Sequence, residues 1–136
     1  MIYYAVIDTN VLVSALLSSH DDDATVQIIN KIYDGSIIPV FSNEILAEYN
    51  EVLHRKKFHF SEELISTLLD SFISLGELIS PSPSGEILPD MKDLPFYEVV
   101  FERQNNDAYL ITGNTKHFPT MPFVVTAREF LSILDS

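Results

Sequence analysis

The chain has 136 residues, of which 46% are hydrophobic, and 20 acidic against 8 basic side chains give it a formal net charge of −12. This charge argues against a protein that binds nucleic acid mainly through its phosphates, because such proteins are basic. It leaves open an enzyme that meets phosphate through a bound divalent cation, which reverses the local sign of charge, and a protein with a basic partner.

The length and apolar content predict one well-packed domain over residues 1–136. Cysteine is absent, so the chain forms no disulfide and no thiolate metal site. No apolar run reaches the ~18 residues of a membrane span, and the start, MIYYAVIDTN, lacks the basic residues of a signal peptide. We therefore expect a cytoplasmic protein without a membrane anchor.

The first half of the chain alternates short apolar runs with segments of helical period. In chain order it predicts a strand over about residues 3–7, a helix from about Val11, a helix capped by Asp22 or Asp23 and ended by Gly35, a strand in SIIPVF, and a helix from Ser42 to about Leu53. On the second helix we expect Val26, Ile29 and Tyr33 to face inward. Pro39 predicts a sheet edge or a bulge.

The second half continues the alternation. It predicts a helix from Ser61 to about Leu75 ended by Gly76, a strand in ELIS, a surface loop in PSPSGEILPD, a helix opened by Asp93 and Pro95, strands in AYLITG and PFVVT, and a last helix with Thr126 and Glu129 at capping-box spacing. Alternating strands and helices predict an α/β fold with a parallel sheet.

Acidic and amide side chains follow several predicted strands. Asp8 follows the first strand, Asp90 and Asp93 precede the helix after the third, and Asn114 follows the fourth. The carboxyl ends of parallel strands lie at one edge of a sheet, where groups distant in sequence converge. Oxygen ligands of this kind suit a hard divalent cation such as Mg²⁺.

Each of these residues also has a simpler structural interpretation. Asp8 and Asp93 fit helix N-caps, Thr9 and Asn10 extend the first cap, and Asp90 and Asn114 fit turns. Two larger sets fit solvated surface: the helical stripe of Glu44, Glu48 and Glu51, and the four histidines His20, His54, His59 and His117. The segment RKKFH, from Arg55 to His59, fits a solvated turn and is also the one basic cluster suited to RNA phosphate.

Taken together, four segments resemble the PIN-domain nucleases. AVIDTNVLVSAL resembles their opening, in which an aspartate ends the first strand and a small polar pair follows. FSNEILAEYNEVLHRKKF resembles their second acidic element, a serine-capped helix with a glutamate six residues later, which is Glu48 and not Glu44. PDMKDLPFYEVV resembles the third and places its aspartate at Asp93. NDAYLITGNTKHFP resembles the fourth, where the family usually has Thr-x-Asp and this chain has Asn114.

The resemblance covers nearly the whole chain and is greatest to the VapC-like toxin ribonucleases of toxin–antitoxin systems. It implies a three-layer α/β/α sandwich around a parallel sheet of about five strands, an acidic site for Mg²⁺ or Mn²⁺, cleavage of RNA, a homodimer and a cognate antitoxin. Asn114 departs from the pattern because an amide brings no negative charge to a cation. Asp90, close in sequence, is a candidate to restore that charge.

We therefore expect a metal-dependent endoribonuclease with Asp8, Glu48 and Asp93 as catalytic residues. Asp8 and Asp93 would bind the ion directly, and Glu48 would bind it through water or orient the attacking water. Asn114 and Asp90 are further candidates for metal contacts. Candidates for contacts that support the site or bind phosphate are Thr9, Asn10, Ser42 and Thr112. Candidates for RNA contacts are Arg55, Lys56, Lys57 and Lys92. The alternative is a PIN-like module that binds RNA or a protein without cleaving. A receiver-type signalling domain fits less well, since it requires an acidic pair after the first strand and a lysine after the last.

Overall fold

The computed structural model describes residues 1–136 and contains five strands and six α-helices. In chain order these are β1 (Tyr3–Ile7), α1 (Thr9–Leu17), α2 (Ala24–Tyr33), β2 (Ile37–Phe41), α3 (Asn43–Leu53), α4 (Glu62–Leu75), β3 (Glu77–Leu78), α5 (Leu94–Glu102), β4 (Tyr109–Ile111), β5 (Val124–Val125) and α6 (Ala127–Asp135). No helix combines the length and the apolar character that a membrane crossing requires.

The strands form one parallel sheet in the order β3-β2-β1-β4-β5, and helices cover it to give a three-layer α/β/α sandwich. This confirms the predicted fold class. The central strand β1 is almost wholly apolar because it is buried by layers on both faces, and Ala5, Val6 and Ile7 are inaccessible to solvent. From β1 the chain adds β2 and β3 on one side of the sheet and then adds β4 and β5 on the other side. The direction of strand addition therefore reverses between β1 and β4. Ligand sites of open α/β sheets form beside such a switch, at the carboxyl ends of the strands.

Two local signals in the sequence act as predicted. Ser42 and Ser61 accept hydrogen bonds from the first turns of α3 and α4. Thr126 and Glu129 form a complete capping box at the start of α6. These interactions lie within a few residues of each other, which is why sequence spacing is enough to find them.

Three expectations about the first half were wrong in detail. Helix α1 begins at Thr9 rather than near Val11. On α2, Ile28 and Ile32 are the buried residues and Ile29 packs against the core as predicted, whereas Tyr33 is exposed. Asp23 holds the cap position of α2, but its side chain makes no capping bond.

Pro39 does not mark a sheet edge, because β2 lies between β1 and β3. It is tolerated because the short strand β3 pairs only with Val40 and Phe41, so no strand lies beside Pro39 on that side. Gly76 instead lies there, and a Cβ at this position would collide with the carbonyl oxygen of Pro39. Gly76 therefore ends α4 because only glycine allows this close approach.

Candidate active site

Asp8 lies at the junction of β1 and α1 and is 6% exposed. It is the N-cap of α1, and its Oδ1 accepts a hydrogen bond of 2.8 Å from the backbone N–H of Thr9. The capping interpretation of Asp8 is thus correct as far as it goes. It accounts for one carboxylate oxygen only.

The second oxygen of Asp8 faces the switch between β1 and β4. Thr112, fully buried at the end of β4, donates from Oγ1 to Asp8 Oδ2 at 2.7 Å, and Asn10 donates from Nδ2 at 3.3 Å. The loop after β4 is held to the same helix turn, because the N–H of Gly113 donates to Asn10 Oδ1 at 3.0 Å. Thr9, Asn10 and Thr112 therefore surround the carboxyl ends of the two central strands.

Glu48 reaches this cluster from α3. The hydroxyl of Thr9 donates a hydrogen bond to Glu48 Oε2, and the side chain of Glu48 is half-buried. Glu44, one turn earlier on the same helix, is exposed and makes no such contact. Ser42 contributes indirectly, since its hydroxyl accepts from the N–H of Ile45 at 3.2 Å and fixes the start of α3.

Asp93 ends a short 3₁₀ turn, Met91–Asp93, that leads into α5. It holds the cap position of α5, but its side chain makes no capping hydrogen bond. Its Oδ2 is a buried oxygen without a hydrogen-bond donor. The imidazole Nδ1 of His117 lies 3.2 Å from this oxygen, within ion-pair range, but the ring is not aligned for a hydrogen bond. Capping therefore does not explain why this carboxylate is here.

His117 is exposed, as its surface assignment predicted, but its contact with Asp93 was not predicted from the sequence. The 3₁₀ turn Thr115–His117 directly follows Asn114. It brings the imidazole of His117 next to the Asn114 side chain, with Nε2 2.9 Å from Asn114 Nδ2. A spacing of three residues in a 3₁₀ turn brings side chains onto one side. In the segment TGNTKH, Asn114 and His117 have this spacing of three residues. The spacing was the sequence signal that could have placed His117 beside Asn114.

The other candidates are exposed side chains. Asp90 is exposed, and its Oδ1 accepts from the N–H of Lys92 at 3.0 Å, as its turn interpretation predicted. Arg55 pairs with Glu51 at 3.1 Å. Lys56, Lys57 and Lys92 are exposed and make no salt bridge.

Burial and mutual repulsion raise the pKa of all three carboxyl groups. Burial is the main cause of the rise of the Asp8 pKa to about 6, the hydrogen bond from Thr112 opposes it, and the charges of Asp93 and Glu48 add to it. Burial also raises the pKa of Glu48, with Thr9 opposing and Asp93 adding. The pKa of Asp93 rises through burial and the charge of Asp90, and His117 partly opposes this. The cluster thus lacks a positive charge at its centre.

These residues fit a divalent cation. An unpartnered buried carboxylate oxygen beside repelling carboxylates is a donor set of hard oxygens, which Mg²⁺ and Mn²⁺ prefer. No group of three or more acidic or histidine side chains is arranged around a single point. An ion here would therefore be held by one or two carboxylates with water completing its shell, as is usual for Mg²⁺.

A groove of about 580 Å³ lies along α1 and is lined by Thr9 and Asn10 near one end of that helix and by Val52 and Phe58 on its far side. Arg55, Lys56 and Lys57 come just before Phe58 in sequence and are exposed. Lys57 Nζ lies 5.1 Å from the centre of the Phe58 ring. The groove therefore lies between the turn that carries Thr9 and Asn10 and the turn that carries Phe58.

The sheet order and the carboxylates at its switch define an α/β protein with an acidic site at the carboxyl ends of the central strands. A family model described as "PIN domain" matches residues 4–116, and the chain belongs to the PIN-domain family. PIN domains are generally nucleases. The family resemblance of the four motifs is thereby confirmed.

Two individual proteins are similar to this chain. It is 31% identical over 112 residues to the uncharacterized protein MJ1680 of Methanocaldococcus jannaschii, covering 80% of this chain and 69% of that one. The crystal structure of PAE2754 from Pyrobaculum aerophilum aligns with a TM-score of 0.58 at 15% identity, covering 98% of this chain and 90% of that one. At this identity the second similarity shows the fold alone.

Proposed function

We propose that this protein is a metal-dependent endoribonuclease that hydrolyses RNA phosphodiester bonds with Mg²⁺ or Mn²⁺. The observation that carries the proposal is the buried, unpartnered Oδ2 of Asp93 beside two further carboxylates whose pKa values are raised. Such an oxygen destabilises a fold unless a cation or a donor satisfies it. In a nuclease-type fold, a catalytic cation is the group that does so.

Asp8 and Asp93 are the residues that would hold the ion. When bound, the cation supplies charge that stabilises the phosphate in the transition state and makes nearby water more acidic. Asp8 is oriented for this by Thr9, Thr112 and Asn10, which together fix both of its oxygens. Its carboxylate is thus held in place before substrate arrives.

Glu48 is suited to accept the proton of the attacking water. One of its oxygens accepts a hydrogen bond from the hydroxyl of Thr9, which leaves the other oxygen available to the attacking water. Its raised pKa makes it a better base than an ordinary glutamate. No covalent intermediate is needed for this reaction.

RNA would reach the carboxylates along the groove beside α1. Phe58 lines the groove and offers an apolar ring to a base, and Lys56 and Lys57, which precede it in sequence, are exposed without acidic partners. Lys92 lies directly beside Asp93 in sequence and is exposed. Arg55 is the weaker candidate because Glu51 already neutralises it.

We also propose that the protein is the toxin of a toxin–antitoxin pair and acts as a homodimer. The net charge of −12 suits an antitoxin that inserts a basic side chain into the acidic cluster. Leu64, Ile73 and Leu75 of α4 and Leu78 of the edge strand β3 are exposed apolar side chains that a second copy would cover. An antitoxin complex that leaves the cluster free of basic side chains contradicts the first idea, and a monomer at micromolar concentration contradicts the second.

A matched pair on one helix tests the ribonuclease. Labelled single-stranded RNA is incubated with Mg²⁺, Mn²⁺ or EDTA and with wild type, Glu48→Gln or Glu44→Gln, all purified identically. We expect cleavage only with metal, a loss of about 100-fold or more for Glu48→Gln and no change for Glu44→Gln. Equal cleavage by all three proteins contradicts the proposal, because it indicates a contaminating nuclease.

A non-cleaving RNA-binding module is the second candidate. It is favoured by Asn114, whose amide faces His117 and adds no negative charge to the cluster. This candidate predicts that wild type binds the same RNA with lysine-dependent affinity but leaves it intact with either metal.

A further inference from the structure

His117 lies at the edge of the acidic cluster beside Asp93, yet neither the four-motif resemblance nor the proposed mechanism uses it. Its Nδ1 is 3.2 Å from the unpartnered Oδ2 of Asp93. Its Nε2 is 2.9 Å from the side-chain amide of Asn114. The imidazole therefore bridges the third acidic position of the site and the position where the fourth acid is replaced by an amide.

The separation of the two facing atoms fits a pair of ligands on one ion. Neighbouring ligands of an octahedral Mg²⁺ or Mn²⁺ ion are about 3 Å apart, given metal–ligand bonds of ~2.1 Å. Nδ1 of His117 and Oδ2 of Asp93 are 3.2 Å apart, which is nearly that distance. Both atoms thus have a free electron pair available when the imidazole is neutral with its proton on Nε2.

Asn114 is placed to select that tautomer. Histidines that bind metals usually donate their other ring N–H to a carbonyl or carboxylate, which fixes the ring and raises its basicity. Half a turn of the Asn114 amide exchanges Oδ1 and Nδ2 in place, and Oδ1 then accepts the proton on Nε2 at the same 2.9 Å. The backbone of Asn114 is itself fixed, because its N–H donates to Thr112 Oγ1 at 3.0 Å.

We propose that His117 binds the divalent ion through Nδ1 together with Asp93, and that Asn114 orients the imidazole. The Asn114–His117 pair then replaces the fourth acid of the family pattern. This proposal rests on the metal site of the proposed function but not on RNA cleavage. Because imidazole nitrogen is a softer ligand than carboxylate oxygen, it shifts the preference of the site from Mg²⁺ toward Mn²⁺.

The simplest competing interpretation predicts an opposite effect. If His117 only pairs with Asp93 as a cation, it competes with the metal, and removing it strengthens metal binding. If His117 is a ligand, removing it weakens Mn²⁺ binding more than Mg²⁺ binding. The sign of the change separates the two.

The test is calorimetric titration of the RNA-free protein with MnCl₂ and with MgCl₂ at pH 8, for wild type, His117→Gln, Asn114→Ala and Asp93→Asn. His20→Gln, exposed and distant in sequence, is the control. We expect His117→Gln to lose about tenfold or more in Mn²⁺ affinity and Asn114→Ala to lose up to about tenfold. We expect Mg²⁺ affinity to change less in both, and His20→Gln to match wild type. His117 is 46% exposed, so both folding and thermal melting of the variant should resemble wild type.

NMR gives a second readout without activity. Substoichiometric Mn²⁺ should broaden the ring signals of His117 before those of His20. Unchanged or tighter Mn²⁺ binding by His117→Gln overturns the ligand proposal. If Asp93→Asn abolishes binding in that case, the metal site of the proposed function stands, and if Asp93→Asn binds normally, both fall.

Discussion

Thr112 donates a hydrogen bond to Asp8 across 104 residues of sequence, joining the ends of the two central strands at 2.7 Å. Thr112 is fully buried and also accepts from the N–H of Asn114 at 3.0 Å. One hydroxyl thus holds both the first carboxylate of the site and the loop that carries Asn114 and His117. It stabilises the ionised form of Asp8 against the effect of burial.

Thr112→Val keeps the shape of this side chain and removes both hydrogen bonds. We expect the Asp8 pKa to rise further, and metal affinity and cleavage to fall about 10- to 100-fold. Carboxyl NMR titration measures the first effect, and calorimetry with Mn²⁺ measures the second. Thr120→Val, at an exposed position, is the control. A Thr112→Val variant with unchanged Asp8 titration contradicts the assigned role.

Asp8→Asn should stabilise the metal-free protein at neutral pH. Because burial raises the folded-state pKa of Asp8 from 3.8 to about 6, the folded state binds this proton more tightly than the unfolded state. Stability from Asp8 is therefore present near pH 4 and lost as pH rises through 6, by about 3 kcal/mol at 1.36 kcal/mol per pKa unit. In EDTA, urea melts should show Asp8→Asn gaining on wild type between pH 4 and pH 7. A difference that is constant across this range contradicts the raised pKa, and Mg²⁺ should reduce the gain.

Tyr49→Phe should destabilise the fold beneath the site. The buried hydroxyl of Tyr49 donates to the carbonyl oxygen of Ile7, the residue before Asp8, and its removal should lower the free energy of unfolding by about 1 kcal/mol. Urea denaturation with an unchanged m-value is the measurement. Tyr109→Phe is a matched control because its hydroxyl makes no hydrogen bond. Equal effects of the two changes would show that the Tyr49 hydroxyl contributes nothing specific.

Removing Lys56 and Lys57 should weaken RNA binding in a salt-dependent way. Each lysine that contacts a phosphate of single-stranded RNA contributes about 0.7 to the slope of log K against log salt. The double variant Lys56→Ala/Lys57→Ala should therefore bind more weakly at low salt and with a shallower slope, measured by fluorescence anisotropy with EDTA present. Lys31→Ala, which loses only the ion pair with Asp34, should match wild type. An unchanged slope would place the RNA elsewhere.

Local signals predicted the elements well because they lie within one turn of sequence, as Ser42 with Ile45 and Thr126 with Glu129 show. The same patterns could not show that Thr112 contacts Asp8 or that Tyr49 contacts Ile7, since these pairs join distant elements. The face of α2 was mispredicted for a related reason. Several apolar positions on that helix compete, and only packing chooses Ile28 and Ile32.

Within the site, sequence alone favoured Glu48 only through the family resemblance. Glu44, Glu48 and Glu51 lie on the same face of α3, so their spacing does not distinguish them. Glu48 is distinguished in the structure because it accepts a hydrogen bond from the hydroxyl of Thr9. His117 went unrecognised because the histidines were judged by zinc-ligand spacing. Its partner groups, Asp93 and Asn114, come from two different segments that only the fold brings together.

The most direct test of the account is single-turnover cleavage of a labelled single-stranded RNA with Mn²⁺ by wild type, Asp8→Asn and Asp93→Asn. Asp70→Asn, an exposed change on α4, controls for purification and for net charge. We expect Asp70→Asn to cleave like wild type and the other two variants to be slower by at least about 100-fold. Asp8→Asn and Asp93→Asn that cleave at the wild-type rate, or a wild type that does not cleave with either metal, would contradict the account.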